Sequence, residues 1–173
     1  TGNRVDREGT RDDSGYRSLM SNYQIGAQKQ IAPDWFLGGS LSYMTGDTKS
    51  DGGAMSATSH TVSGGLALKR QMGPWLFAAG LRAGYEDTDV ARRVIVPGFA
   101  GLARSSPQFL HLGARLRAAY EFAFPNWYLR PFADLDISYV HQQAYRENGA
   151  GLFDLAALSA SRTSLMATPG LEI

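Results

Sequence analysis

From residue 18 onward the chain alternates apolar and polar positions with period 2, the pattern of a strand whose two faces meet different surroundings. The alternation predicts seven strands, at about 18–31, 35–47, 58–70, 75–87, 107–123, 127–142 and 158–171. In the fourth, Trp75, Phe77, Ala79, Leu81, Ala83 and Tyr85 share one face, opposite Arg82 and Glu86. In the fifth, Leu110, Leu112, Ala114, Leu116, Ala118, Tyr120 and Phe122 oppose His111, Arg115, Arg117 and Glu121. In the sixth, Trp127, Leu129, Ala133, Leu135, Ile137 and Tyr139 oppose Arg130, Asp134 and Asp136. Pro131 falls inside this strand, where its missing N–H suggests a local bulge.

The connections alternate in length. Those near 32–34, 71–74 and 124–126 are tight, whereas about 48–57, 88–106 and 143–157 read as long loops. Three segments also carry aromatic punctuation, Trp35 to Tyr43, Trp75 to Tyr85 and Trp127 to Tyr139, at intervals of 8, 10 and 12 residues. Even intervals put each pair on one face. At a tilt near 40° they rise roughly 20, 25 and 30 Å, close to the apolar band of a membrane β-barrel at about 25 Å. Short turns on one side, long loops on the other and aromatic rims predict an antiparallel up-and-down transmembrane β-barrel in a bacterial outer membrane. Trp35, Tyr43, Trp75, Tyr85, Tyr120, Trp127 and Tyr139 are its expected rim residues. A soluble barrel or sandwich binding a small ligand shares the alternation and stays open as an alternative, as does a barrel enzyme acting on lipids.

On the membrane reading the charged face is the lumen. Arg82, Glu86, Arg115, Arg117, Glu121, Arg130, Asp134 and Asp136 are then the candidate pore-lining residues, which either contact a translocating chain or simply keep the lumen hydrated and shaped. The chain has 173 residues, a net charge of +1 and no cysteine. The near-zero net charge gives no electrostatic bias toward nucleic acid, and the lack of cysteine removes thiol catalysis and thiolate metal sites. His60, His111 and His141 lack metal-ligand spacing. Ser138 and His141 are close in sequence but of opposite parity, so they do not read as a catalytic pair. No cofactor, metal or catalytic residue is expected. The apolar run 94–99 is expected to fold into the pore, meet a partner or pack at the rim.

The last third adds a resemblance. Trp127-Tyr-Leu-Arg-Pro-Phe-Ala-Asp-Leu-Asp-Ile-Ser-Tyr139, then Tyr145-Arg-Glu-Asn-Gly-Ala-Gly-Leu152, then Ser159-Ala-Ser-Arg-Thr-Ser-Leu165, resembles the autotransporter β-domain, the translocator of type V secretion. Tyr23-Gln-Ile-Gly-Ala27 and Trp35-Phe-Leu-Gly-Gly-Ser-Leu-Ser-Tyr43 resemble its first hairpin. The resemblance implies a 12-stranded barrel that anchors in outer-membrane lipid and exports or displays an N-terminal passenger. A pore helix and the barrel assembly machinery are its implied partners. It also raises self-cleavage of a linker by luminal acids, for which Glu121, Asp134 and Asp136 have the right face. Residues 1–17 are expected to be a polar lead-in, a loop or frayed strand, and 18–173 a partial barrel domain of about seven strands.

Overall fold

The computed structural model describes residues 2–7 and 15–173. Among these residues twelve strands are formed: β1 Gly2–Arg7, β2 Tyr16–Ala32, β3 Trp35–Ser50, β4 Met55–Met72, β5 Trp75–Val96, β6 Phe99–Ser105, β7 Gln108–Tyr120, β8 Phe122–Ala123, β9 Tyr128–Gln142, β10 Tyr145–Arg146, β11 Ala156–Ala157 and β12 Ala160–Glu172. Eight of them run as an antiparallel meander in the order β1-β2-β3-β4-β5-β7-β9-β12, with β1 and β12 at its two edges. All seven expected strands are present. An eighth, β1, pairs with β2 from Gly2↔Ser21 to Arg7↔Tyr16. Among the described residues no helix is long and apolar enough to cross a membrane, which says nothing of crossing by strands.

The sheet is inside out for a water-soluble domain. Its surface of 12206 Å² compares with about 8,300 Å² for a compact soluble protein of this mass. The buried hydrophobic residues are few and small, Val94, Ala103, Ala119 and Ala150. Ile25 is 74% exposed and Leu81 67% exposed, with Leu41, Leu66 and Leu165 similar. Register explains why: Leu41 pairs with Ile25, Leu66 with Leu81, Leu81 with Ala114 and Ala114 with Ile137, so the apolar positions of successive strands form one continuous face. The charged positions form the other, Arg115 opposite Asp136 and Arg117 opposite Asp134.

Three expectations need correction. Residues 48–57 are no long loop, since β3 runs on to Ser50 and β4 starts at Met55. Residues 88–106 are mostly not loop: β5 continues to Val96, turns at Pro97-Gly98 with Gly98 at φ 82°, and returns as β6. The apolar run 94–99 is the tip of this hairpin, where Val94 packs with Ala103, Ala150 and Phe99. Pro131 makes no bulge. The β7–β9 ladder stops at Ala119↔Phe132 and resumes in the same register at Phe122↔Leu129. The missing N–H falls in that gap, and the Glu121 N–H there donates to the Pro74 carbonyl at 2.8 Å. Among the described residues the one register shift lies elsewhere, in β2 between Gln30 and Ala32.

Candidate functional site

The charged face is densest where β7, β9 and β12 meet. The Arg117 guanidinium grips Asp134 through two hydrogen bonds, 2.7 Å from Nε and 2.8 Å from Nη2, and reaches Glu172 at 3.3 Å. Arg130 donates to Glu172 at 2.9 Å and pairs with Glu121. Arg115 donates to Asp136 at 2.6 Å. Three guanidinium groups thus meet four carboxylates, and each acid accepts from at least one arginine. Aromatic rings seat the cations: Arg117 lies 4.3 Å from the Phe132 ring centre and Arg130 4.8 Å from that of Tyr128. Phe132 in turn lies flat over Gly170, where an added Cβ would fall 2.1 Å from the ring. Only glycine leaves space for the ring, which is stacked under Arg117.

Higher on the same face the charges thin out. One row of paired positions crosses seven strands as Gly26, Ser40, Gly65, Arg82, Gly113, Ser138 and Ser164. Arg82 is the one long side chain in the row and makes no ion pair among the described residues. It lies across Gly113, whose Cβ position is 2.6 Å from Arg82 Nε. A cavity of about 740 Å³ borders this row and also touches Arg115 and Asp136. Above it, Glu86 accepts from Thr88 at 3.1 Å and stands 3.3 Å from His111 Nε2. The structure therefore puts all eight candidate pore residues on one face. It brings Arg115, Arg117, Glu121, Arg130, Asp134 and Asp136 into the cluster and leaves Arg82 and Glu86 apart from it.

The aromatics sit toward the two ends of the opposite face. Tyr23, Tyr43 and Tyr85 fall in one row, and the Tyr43 hydroxyl is 3.0 Å from His60 Nδ1. At the tight-turn end Trp75 packs edge-on against Tyr120 at 4.9 Å, Trp127 stacks on Phe124 at 4.1 Å and Trp35 holds Arg70 at 4.9 Å. Tyr139 donates to or accepts from Ser161 at 3.1 Å, and His141 Nδ1 is 2.8 Å from that same hydroxyl. Sequence reasoning missed Glu172, Phe132 and Gly170 in the charged cluster and Ser161 beside His141. All depend on which residue of one strand faces which of the next; the charge and parity of Glu172 were its only visible signals.

At the long-loop end, residues 147–155 fold over the charged-face side of the β5–β6 hairpin. Glu147 is buried, pairs with Arg92 through both guanidinium donors and accepts the Leu155 N–H at 3.0 Å. Arg92 also donates to the Phe153 carbonyl at 3.0 Å, while Arg104 and Asn148 exchange backbone hydrogen bonds at 2.8 and 2.9 Å. Arg92 holds the Glu147 carboxyl below its ordinary range, against the opposing effect of burial. A carboxylate held low stabilises its contacts above the ordinary carboxylate range, and that contribution is lost as pH falls through the lowered value. Amides of 147–155 are thus expected to be protected from hydrogen exchange at neutral pH and to lose protection on acidification, with Glu147→Gln losing it already at neutral pH. Asp154 Oδ1 accepts the Ala150 N–H at 2.7 Å in the same segment, and Asp154→Asn is the control that separates this contact from the Arg92–Glu147 pair. Protection unchanged in Glu147→Gln would count against the latch.

An antiparallel meander with one apolar face, one charged face and aromatics toward both ends has the pattern of a membrane β-barrel wall. The family model of the autotransporter beta-domain matches residues 1–173. This chain belongs to the autotransporter beta-domain family, and its place is the bacterial outer membrane. Among solved structures it is similar to the translocator domain of the autotransporter NalP from Neisseria meningitidis, at TM-score 0.80 and 13% identity, over 98% of this chain and 58% of that one. It is also similar to the ferric yersiniabactin uptake receptor FyuA from Yersinia pestis, at TM-score 0.59 and 9% identity, over 92% of this chain and 26% of the receptor. The ferripyoverdine receptor of the Pseudomonas aeruginosa outer membrane gives TM-score 0.57 at 11% identity, over 98% of this chain and 32% of that one. By sequence, no curated protein matches. The chain thus spans about three fifths of the NalP translocator domain, and at these identities the likeness is one of fold.

Proposed function

We propose that this chain forms part of an outer-membrane translocator barrel that anchors in lipid and exports or displays an N-terminal passenger. The observation that carries the reading is the inverted sheet in a chain whose whole length matches the autotransporter beta-domain. Arg82, Glu86 and the Arg115–Asp136, Arg117–Asp134 and Arg130–Glu121 pairs line the lumen in this reading. The mutually neutralised pairs leave a hydrated wall that does not trap a passing polypeptide. The row of small residues around Arg82 supplies room for one. Trp35, Trp75, Tyr120 and Trp127 mark the periplasmic rim and Tyr43, Tyr85 and Tyr139 the outer one. Residues 18–173 form the barrel part, with β1 as a further wall strand, and the barrel assembly machinery inserts it.

The wall acts without catalysing a reaction in this reading. His141 and Ser161 are in hydrogen-bond reach, but among the described residues no carboxylate orients the histidine, and Tyr139 shares the serine hydroxyl. The test uses the full-length protein with an epitope in its passenger. Gly26→Trp with Gly65→Trp fills the small-residue row from the lumen side. The barrel is expected to assemble, seen as a heat-modifiable band, while the epitope appears at the cell surface at least tenfold more slowly. Surface display at the unmodified rate from an assembled Gly26→Trp/Gly65→Trp barrel would overturn the translocator reading of this wall.

A further inference from the structure

Above the outer rim, the β5–β6 hairpin has two different faces. The side continuous with the charged face is covered by 147–155, through Arg92, Val94, Ala103 and Ala150. The other side continues the apolar, lipid-facing face upward, and it is basic. Arg93 stands opposite Leu102, and Arg104 opposite Ala91, so the two arginines are diagonal neighbours on that side, about 7–8 Å apart. Arg104 bridges Asn148, which places Arg146, two residues earlier, on the same side and diagonal to Arg104. None of the three has an ion-pair partner among the described residues. The carboxylate beside them, Asp89, accepts from Ser106 at 2.7 Å; Asp87 lies one step nearer the rim. Arg104, Arg146, Ser105, Gln108 and Asn148 border a cavity of about 810 Å³, whose mouth is polar.

We propose that this outward pocket binds the phosphorylated sugar headgroup of an outer-leaflet glycolipid. Guanidinium groups match phosphate oxygens through paired donors, and two at the pocket's border with Arg93 beside it, none ion-paired among the described residues, favour a multiply charged anion. Height selects among lipids. Arg104 and Arg93 lie level with positions six and eight residues beyond Tyr85, and Arg146 beside the level of Asp89. At roughly 2.5 Å of rise per tilted residue they stand about 10–20 Å above the tyrosine row. A phospholipid headgroup layer is only about 5–8 Å deep. A glycolipid carrying phosphates on sugars above the bilayer reaches that height, and phosphatidylglycerol does not.

This site rests on the membrane orientation proposed above, so the test first checks assembly. The full-length barrel is placed in phosphatidylcholine vesicles, confirmed as inserted by its heat-modifiable band, and titrated with three probes. These are a lipopolysaccharide with a phosphorylated inner core, the same lipopolysaccharide dephosphorylated in the core, and phosphatidylglycerol. The core-phosphorylated glycolipid is expected to bind best. Arg93→Gln, Arg104→Gln and Arg146→Gln should each weaken it about fivefold, and the triple variant about a hundredfold. Inorganic phosphate binding as tightly as the glycolipid would make this a soluble-anion site and overturn the proposal. So would equal binding of phosphatidylglycerol, or an inserted triple variant that binds unchanged. A chain that never inserts would instead overturn the barrel orientation.

Discussion

Leu81→Arg is expected to destabilise the assembled barrel by about 2–4 kcal/mol, the cost of a cation on a lipid-facing wall near the bilayer midplane. Leu81 lies midway between Trp75 and Tyr85 on the apolar face and is 67% exposed. Its neighbour Arg82 points the other way, so Arg82→Leu should leave assembly within about 0.5 kcal/mol of the unmodified protein. A soluble sheet predicts the reverse order. There, a 67%-exposed leucine is a surface residue that arginine replaces without penalty. Urea unfolding of the full-length protein from lipid vesicles, followed by the heat-modifiable band, measures both variants. A Leu81→Arg protein as stable as the unmodified one would end the membrane assignment of this face.

What the sequence made legible follows from where the membrane imposes a pattern. Between the two aromatic rims every strand must present apolar residues to lipid at every second position. Leu110 to Tyr120 and Trp75 to Tyr85 therefore announced both strand and face. Beyond the outer rim that demand stops. Asp87 to Arg93 carries charged residues on both parities, and the hairpin that these residues enter was hidden for this reason. Its stability comes from backbone pairing and from the small cluster of Val94, Phe99, Ala103 and Ala150, not from alternation. Partners across strands were hidden for a different reason. Parity gives a residue's face but not its height, so Asp134 was visible as luminal while its grip on Arg117 was not. Glu172 had the right charge and parity, yet its contacts with Arg117 and Arg130 depend on the β9–β12 register, in which Glu172 faces Arg130.

That register makes Arg117 the member of the cluster whose loss spreads furthest. It alone holds Asp134, shares Glu172 with Arg130 and covers Phe132, which is seated on Gly170. The Asp134 side chain is only 7% exposed, whereas that of Arg117 is 31% exposed. Arg117→Met strips the more buried partner of its cation, which costs more than the lost attraction itself. A loss of about 2–3 kcal/mol is expected, kept below the figure for a dry interior because Arg117 is partly exposed. Removing both ends should be milder, since two apolar groups leave no charge uncompensated: Arg117→Met with Asp134→Leu is expected to recover most of that loss. The coupling between the two sites is then at least about 1.5 kcal/mol, read from urea unfolding of all four proteins in vesicles. Single variants that each cost under about 0.5 kcal/mol and simply add would mean that the cluster is solvated surface charge. Coupling of the expected size would instead mark β7, β9 and β12 as the rigid side of the wall.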